Sequence, residues 1–164
     1  MSIHYIIDGY NVIKQVPYLT EKKLKEGRDN FIKFLENARP QGSMNNEVTV
    51  VFDGQGQIYT PLPFSGIKII FSYRETADDK IKKMVKNSSN RRRIIVVSDD
   101  KEIKFFIRKL GAQSSSVKKF LSKVKDKPFI IPSGGRDKLE LMSEEAQEIT
   151  KELENIWDRK QSRE

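Results

Sequence analysis

Four short apolar runs, residues 3–7, 48–52, 67–71 and 94–97, alternate with longer segments whose apolar positions recur at helical spacing. Runs this short and this apolar suit strands buried on both faces, as in a parallel sheet. Phe31, Phe34, Leu35 and Ala38 form the inner stripe of a helix over 21–38, stopped by Pro40 and Gly42. Ala77, Ile81, Met84 and Val85 form a second, which opens at Thr76 with Asp79 three residues on as a capping-box-like pair. Ile103, Phe106, Ile107 and Leu110 predict a helix over 99–110 that ends at Gly111. Val117, Phe120, Leu121 and Val124 predict another, and Ala146, Ile149, Leu153, Ile156 and Trp157 a last one over 143–157. Residues 112–113 and 129–131 read as short extended pieces, whereas the stretch from Asp8 to Pro17 and the Gly- and Pro-punctuated 53–66 read as loops. Strands alternating with helices predict an α/β fold, a central and mainly parallel sheet flanked by helices on both faces. One domain over 1–157 accounts for the pattern, with 158–164 as a frayed polar tail.

The polar interruptions of this pattern are informative because they are acidic. Asp8 follows the first apolar run, Asp53 the second, and Asp99 and Asp100 the fourth, while Asp78 and Asp79 fall in the first turn of a helix. Ligands of open parallel sheets bind beyond the carboxyl ends of the strands, where Asp8, Asp53 and Asp99 are expected. Like charges crowded there repel, and a divalent cation is the usual way to hold them together. Each aspartate alone reads more readily as a helix cap than as a ligand. Their expected convergence on one sheet edge favours a metal site. In Asp8-Gly9-Tyr10-Asn11 the glycine is expected to let the backbone turn sharply, and the Asn11 amide to orient a carboxylate or a water. The positive end of a helix dipole lowers the cost of the adjacent Asp78 and Asp79.

Charge sharpens this picture. The 164-residue chain carries a net charge of +8, and residues 80–127 alone hold sixteen Lys and Arg against four acidic residues. A basic segment flanking an acidic pocket attracts a polyanion, although Lys-rich helices are also ordinary solvated faces. Arg74, Lys80, Lys82, Lys83, Arg91, Arg92 and Arg93 are the candidate backbone-phosphate contacts. There is no cysteine, which excludes disulfides and thiolate zinc sites and fits a reducing cytoplasm. No signal-peptide pattern and no apolar stretch near ~20 residues is visible, so a cytoplasmic protein is expected.

Asp8-Gly-Tyr-Asn11, Val50-Val-Phe-Asp-Gly54, Glu75-Thr-Ala-Asp-Asp79 and Val96-Val-Ser-Asp-Asp100 together resemble the YacP-like branch of the NYN-domain proteins, within the PIN-like nuclease superfamily. The resemblance spans essentially the whole chain. It implies a PIN-like three-layer fold and an endoribonuclease dependent on Mg²⁺ or Mn²⁺, in which metal-activated water attacks the phosphodiester. Family positions carry over to Asp8, to Asp79 with Asp78 beside it, and to Asp99 as catalytic and metal-binding residues. Asp100 is a weaker metal candidate, Asn11 matches the family asparagine, and Asp53 is a supporting or structural residue. RNA, specifically mRNA, is the implied substrate, and the ribosome a further candidate partner.

A metal-free ribonuclease needs acid–base side chains such as a histidine pair, and His4, inside the first strand, is the one histidine present. Tyr10 and Tyr59 are candidates for base stacking, with packing as the alternative. The serines at 114–116 and the turn 133–136 are weak phosphate candidates, and Trp157 reads as packing. A non-catalytic RNA- or ribosome-binding module with structural aspartates is the competing function. A haloacid-type phosphatase would want a second aspartate where Tyr10 stands, and the residues of a receiver domain are not evident. Nothing in the pattern separates RNA from DNA.

Overall fold

A computed structural model of the chain describes residues 2–16, 23–56 and 66–123. Five strands, β1 (His4–Asp8), β2 (Glu47–Phe52), β3 (Ile67–Phe71), β4 (Ile94–Val97) and β5 (Gln113–Ser115), form one sheet in the order β3-β2-β1-β4-β5. Every pairing is parallel, with Tyr5 opposite Val48 on one side and Ile95 on the other. The chain lays down β1, adds β2 and β3 on one flank, and then crosses back to place β4 and β5 on the other. That reversal opens a crevice between the carboxyl ends of β1 and β4, the switch point at which open α/β sheets bind ligands.

Among the described residues five helices cover the sheet: α1 (Gly9–Ile13), α2 (Leu24–Ala38), α3 (Ala77–Asn87), α4 (Lys101–Lys109) and α5 (Val117–Ser122). Because successive strand residues point to opposite faces, β1 feeds two cores. Tyr5 and Ile7 join Val12, Phe31, Leu35 and Phe120 on the face of α1, α2 and α5. Ile6 joins Ile81, Val85, Ile103 and Ile107 under α3 and α4. Burial on both faces is why residues 6–7 of β1, 50–52 of β2 and the whole of β4 are wholly apolar. Among the described residues no helix is long and apolar enough to cross a membrane.

The structure departs from the sequence pattern in four places. The stretch after Asp8 is a short helix, α1, which buries Val12 and Ile13; five residues are too few to display a period. The helix expected from residue 99 begins at Lys101, because the Asp100 side chain caps it by accepting from the N–H groups of Glu102 and Ile103. The short strand expected at 112–113 runs from Gln113 to Ser115, extended by pairing of Val97 with Ser115. Gly9 is not a flexible turn residue: it is helical and needed for close approach, since a Cβ there would lie 2.6 Å from Phe52 Cδ1. Residues 21–22, Val124, the extended piece 129–131, the helix 143–157 and the tail 158–164 lie outside the described residues.

Phe52 is fully buried against Tyr10 and Phe71, with ring centroids 5.1 and 5.8 Å away, so it has little room to yield. Gly9→Ala is therefore expected to lower unfolding stability by about 1–3 kcal/mol in urea titration. The same substitution should cost less in a Phe52→Leu background; an equal cost in both backgrounds places the strain elsewhere.

Candidate active site

The crevice is lined by carboxylates from three elements. Asp8 closes β1 and is only 8% exposed. Asp78 is the second residue of α3, and Asp100 the N-cap of α4. Burial, reinforced first by the Asp78 charge and then by that of Asp100, pushes the Asp8 carboxyl up to about 6 from an ordinary 3.8. The backbone N–H of Asn11 and the Lys14 ammonium pull the other way without cancelling the rise. Asp78 is raised as well, by its own burial and then by Asp100, against the opposing Lys82 ammonium. Asp8, Asp78 and Asp100 thus share one electrostatic environment.

Each is held by backbone geometry. Asp100 Oδ1 accepts from the N–H groups of Glu102 (2.8 Å) and Ile103 (3.0 Å), and its own N–H donates to the buried Ser98 Oγ at 3.1 Å. Asp78 is placed by the start of α3, which is fixed twice. Thr76 Oγ1 accepts from the Asp79 N–H at 3.1 Å, while Asp53 Oδ1 accepts from the Ala77 N–H (3.2 Å) and from Ser72 Oγ (3.1 Å). Asp53 therefore ties the ends of β2 and β3 to the helix that carries Asp78.

The adjacent aspartates do different work. Asp79 is exposed, and the raised acid of this pair is Asp78. Asp99 is engaged in a brace: its Oδ2 accepts from Gln15 Nε2 (2.6 Å), its Oδ1 from the Val117 N–H (3.1 Å), and Lys104 Nζ lies 3.8 Å away. Asn11 Oδ1 accepts from the Asp99 N–H at 3.0 Å, joining α1 to the end of β4. Of the acids expected from sequence, Asp8, Asp78 and Asp100 are those whose charges act on one another, while Asp79 is exposed and Asp99 is engaged by Gln15, Val117 and Lys104. Lys14, Gln15, Glu102 and Lys104 were absent from the sequence expectation. Gln15 stands one helical turn after Asn11, a spacing invisible while residues 9–15 read as loop; Lys104, one turn after Asp100 in the helix expected over 99–110, could have been found from its spacing.

The basic candidates divide by sheet edge. Arg74 follows β3 at the carboxyl edge, Lys80 and Lys83 flank Glu75, and Lys82 pairs with Glu102 at 3.0 Å. Arg91, Arg92 and Arg93 form a 3₁₀ turn immediately before β4. They sit at the amino edge, about 13 Å from the crevice along a four-residue strand, and Arg91 Nη2 donates to the Lys86 carbonyl at 2.7 Å. Parallel pairing puts sequence neighbours at opposite ends of the sheet, so these arginines are not brought to the acidic edge. His4 also lies at the amino edge, with Nε2 2.8 Å from Thr49 Oγ1, and burial lowers its pKa. The Tyr10 ring packs on Phe52 and its hydroxyl accepts from Arg28 Nη1 at 2.9 Å. Ser116 caps α5, and Ser114 Oγ accepts from Arg108 Nε. Tyr59, the 133–136 turn and Trp157 lie outside the described residues.

Among the described residues, no three histidine or carboxylate side chains are gathered tightly enough to form a closed metal cage. Mg²⁺ does not require one: it keeps several waters and uses one or two protein carboxylates. Carboxylates whose charges act on one another, one of them buried, are the kind of oxygen donors that such a loosely held, hard cation takes.

A parallel three-layer sheet in this order, with aspartates collected where β1 and β4 diverge, is a PIN-like α/β architecture. The chain belongs to the YacP-like NYN domain family, whose model matches residues 5–164. It is similar to two crystal structures of Rae1 (YacP) from Bacillus subtilis. One, a single-substitution variant, is 29% identical over 75% of each chain with a TM-score of 0.61. The other is 25% identical over 99% of this chain and 85% of that one, with a TM-score of 0.60. No curated protein matches the chain.

The Asp8 shift has a testable sign. Between about pH 4 and 6 the folded protein keeps a proton that the unfolded chain releases, so stability falls as pH rises through this window and levels off above it. Asp8→Asn removes the buried charge. It is expected to stabilise the fold by on the order of 2 kcal/mol near pH 7.5 and to change little near pH 4. Thermal melts at the two pH values check this; an Asn variant less stable than the parent near pH 7.5 contradicts the assignment.

Proposed function

We propose that this protein is a divalent-metal-dependent endoribonuclease whose centre is Asp8, Asp78 and Asp100, with Mg²⁺ or Mn²⁺ as the cofactor. The observation that carries the reading is the buried Asp8 carboxyl at the sheet's switch point, on which the charges of two further carboxylates act. A fold gains nothing in stability from such an arrangement unless a cation occupies it. Family membership supplies the nuclease class, and the likeness to Rae1 supports it.

When bound, a divalent ion supplies charge neutralisation at the scissile phosphate and acidifies a water for attack. The chain's residues supply the rest. Asp8 and Asp78 present negative charge where a cation is wanted, and burial of Asp8 keeps bulk water from screening it. Asp100, pinned by its capping bonds, keeps a fixed direction. Lys82 lies between Asp78 and Glu102 and limits the repulsion, leaving a cation beside the phosphate path. Asn11 and Asp99 brace α1 against α4 and α5, so that both walls of the crevice hold their spacing. RNA is the substrate class, and the positive balance of residues 80–127 suits a ribonucleoprotein partner such as the ribosome.

The competing reading is a binding module with structural aspartates, favoured by the absence of a closed metal cage. Cleavage of a single-stranded RNA with and without Mg²⁺ or Mn²⁺ separates them. Asp8→Asn and Asp78→Asn are expected to lower divalent-dependent cleavage by about 100-fold or more, and Asp79→Asn by less than about tenfold. Mg²⁺ should raise the melting temperature of the parent more than that of Asp8→Asn. Cleavage by Asp8→Asn at the parental rate, with the fold intact, overturns the proposal.

A further inference from the structure

Beside the acidic crevice the carboxyl edge carries a second concavity. Gln55, Ser72, Tyr73, Arg74, Glu75 and Lys83 line a cleft of about 660 Å³ at the ends of β2 and β3. Tyr73 stands there 62% exposed, one of few large side chains so presented, and its ring makes no aromatic contact among the described residues. Its backbone has φ 59°, a left-handed conformation that bulky residues seldom adopt. Two bonds hold it there: the Tyr73 N–H donates to the Gly54 carbonyl at 2.9 Å, and the Gly54 N–H to Ser72 Oγ at 3.1 Å. Glycine would fill this turn without strain, yet the position carries an aromatic ring projecting into solvent from a rigid base.

The surroundings select a ligand. Arg74 has no ion-pair partner among the described residues, and Lys80 and Lys83 share the single carboxylate of Glu75, so the cleft has a positive excess. A planar ring next to an excess of positive charge is the arrangement that single-stranded nucleic acid uses: bases stack on the ring while cations track the phosphates. The cleft lies two strand spacings, about 10 Å, from β1, and the α3 turn bearing Asp78 begins four residues after Tyr73. A strand whose phosphate lies in the crevice passes this cleft with a neighbouring base.

We propose that Tyr73 is a stacking platform for an unpaired base of single-stranded nucleic acid, with Arg74 contacting the adjoining phosphate. The placement beside the cleavage centre rests on the nuclease reading; binding to the cleft is measurable without it. Tyr73→Gly relieves the backbone strain and removes the ring, so a purely structural role and a binding role move in opposite directions.

In EDTA, where no divalent-dependent cleavage occurs, fluorescence anisotropy with a labelled single-stranded oligoribonucleotide reads affinity. Tyr73→Gly is expected to melt at or above the parental temperature and to bind roughly 5- to 100-fold more weakly. Tyr73→Trp should restore binding. Arg74→Ala should flatten the salt dependence by about one ion. Replacing one base of the oligonucleotide by an abasic site should weaken parental binding but add nothing to the Tyr73→Gly defect. Parental affinity in Tyr73→Gly overturns the platform, even if Asp8→Asn abolishes cleavage in parallel. Weakened binding by Tyr73→Gly while Asp8→Asn still cleaves at the parental rate keeps the platform and removes the Asp8-centred site instead.

Discussion

Mutual repulsion of carboxylates at the head of the central strand is the constraint around which the described structure is arranged. Asp8 has to be buried, because β1 is flanked on both sides by parallel strands and covered on both faces by helices. Its environment then contains Asp78 and Asp100, and the carboxyl answers by holding its proton to about pH 6. Hydrogen bonds would ordinarily relieve such a group, but its closest help is the Asn11 N–H, which does not close a cap. The surrounding bonds are spent on keeping the other acids in place: two N–H groups on Asp100, Asp53 on the α3 terminus, and the Gln15–Asp99–Val117 brace on the opposite wall. Stability is given up at one carboxyl while its neighbours are made rigid, which is the pattern expected where a cation is to be received.

The fold was legible because its signals are long or redundant. β3 and β4 coincide with the runs at 67–71 and 94–97, and of the stripes anticipated from spacing Ala77, Ile81, Val85, Ile103 and Ile107 are buried, with Met84, Phe106 and Leu110 packed half-buried at the margin. The short elements were not legible. α1 offers one turn, and its apolar Val12 and Ile13 are adjacent, as they would be in a strand or a loop. Its discovery changes the role of Asn11, which becomes a tie across 88 residues of sequence, and of Gly9, whose small size serves Phe52 rather than the turn.

The candidate site was legible at the level of motifs but not of individual carboxylates. Asp78 and Asp79, adjacent at a helix start, differ in direction by about 100° on an ideal helix, so they cannot share one environment, and Asp79 is exposed where Asp78 is half-buried. Which of the two is covered depends on the crossing of α3 over the sheet, a tertiary quantity. At the fourth strand, ahead of the helix, the division is made by hydrogen bonds: Asp100 caps α4 and adds its charge at Asp8, while Asp99 accepts from Gln15 and from the start of α5. A run of charge misleads for a related reason. Arg91, Arg92 and Arg93 stand only six to eight positions before Asp99 in sequence, and those positions are one strand length, placing the arginines at the far end of the sheet.

Asp53 shows how the acidic crevice and the cleft beside it are one mechanical unit. Its Oδ1 takes hydrogen bonds from Ser72 and from the first residue of α3, so the same oxygen fixes the turn that presents Tyr73 and the helix that presents Asp78. Ser72 completes the link by accepting from Gly54 while donating to Asp53. A displacement of the β2–β3 end therefore shifts the ring and the carboxylate together. On the proposed reading, contacts along an extended polyanion at one point are transmitted to the geometry at the other, with a single buried serine hydroxyl as the coupling element. The spacing between ring and carboxylate is then set by Asp53 at the end of one strand and by Ser72 and Ala77 between the next strand and its helix, none of which is assigned the chemistry itself.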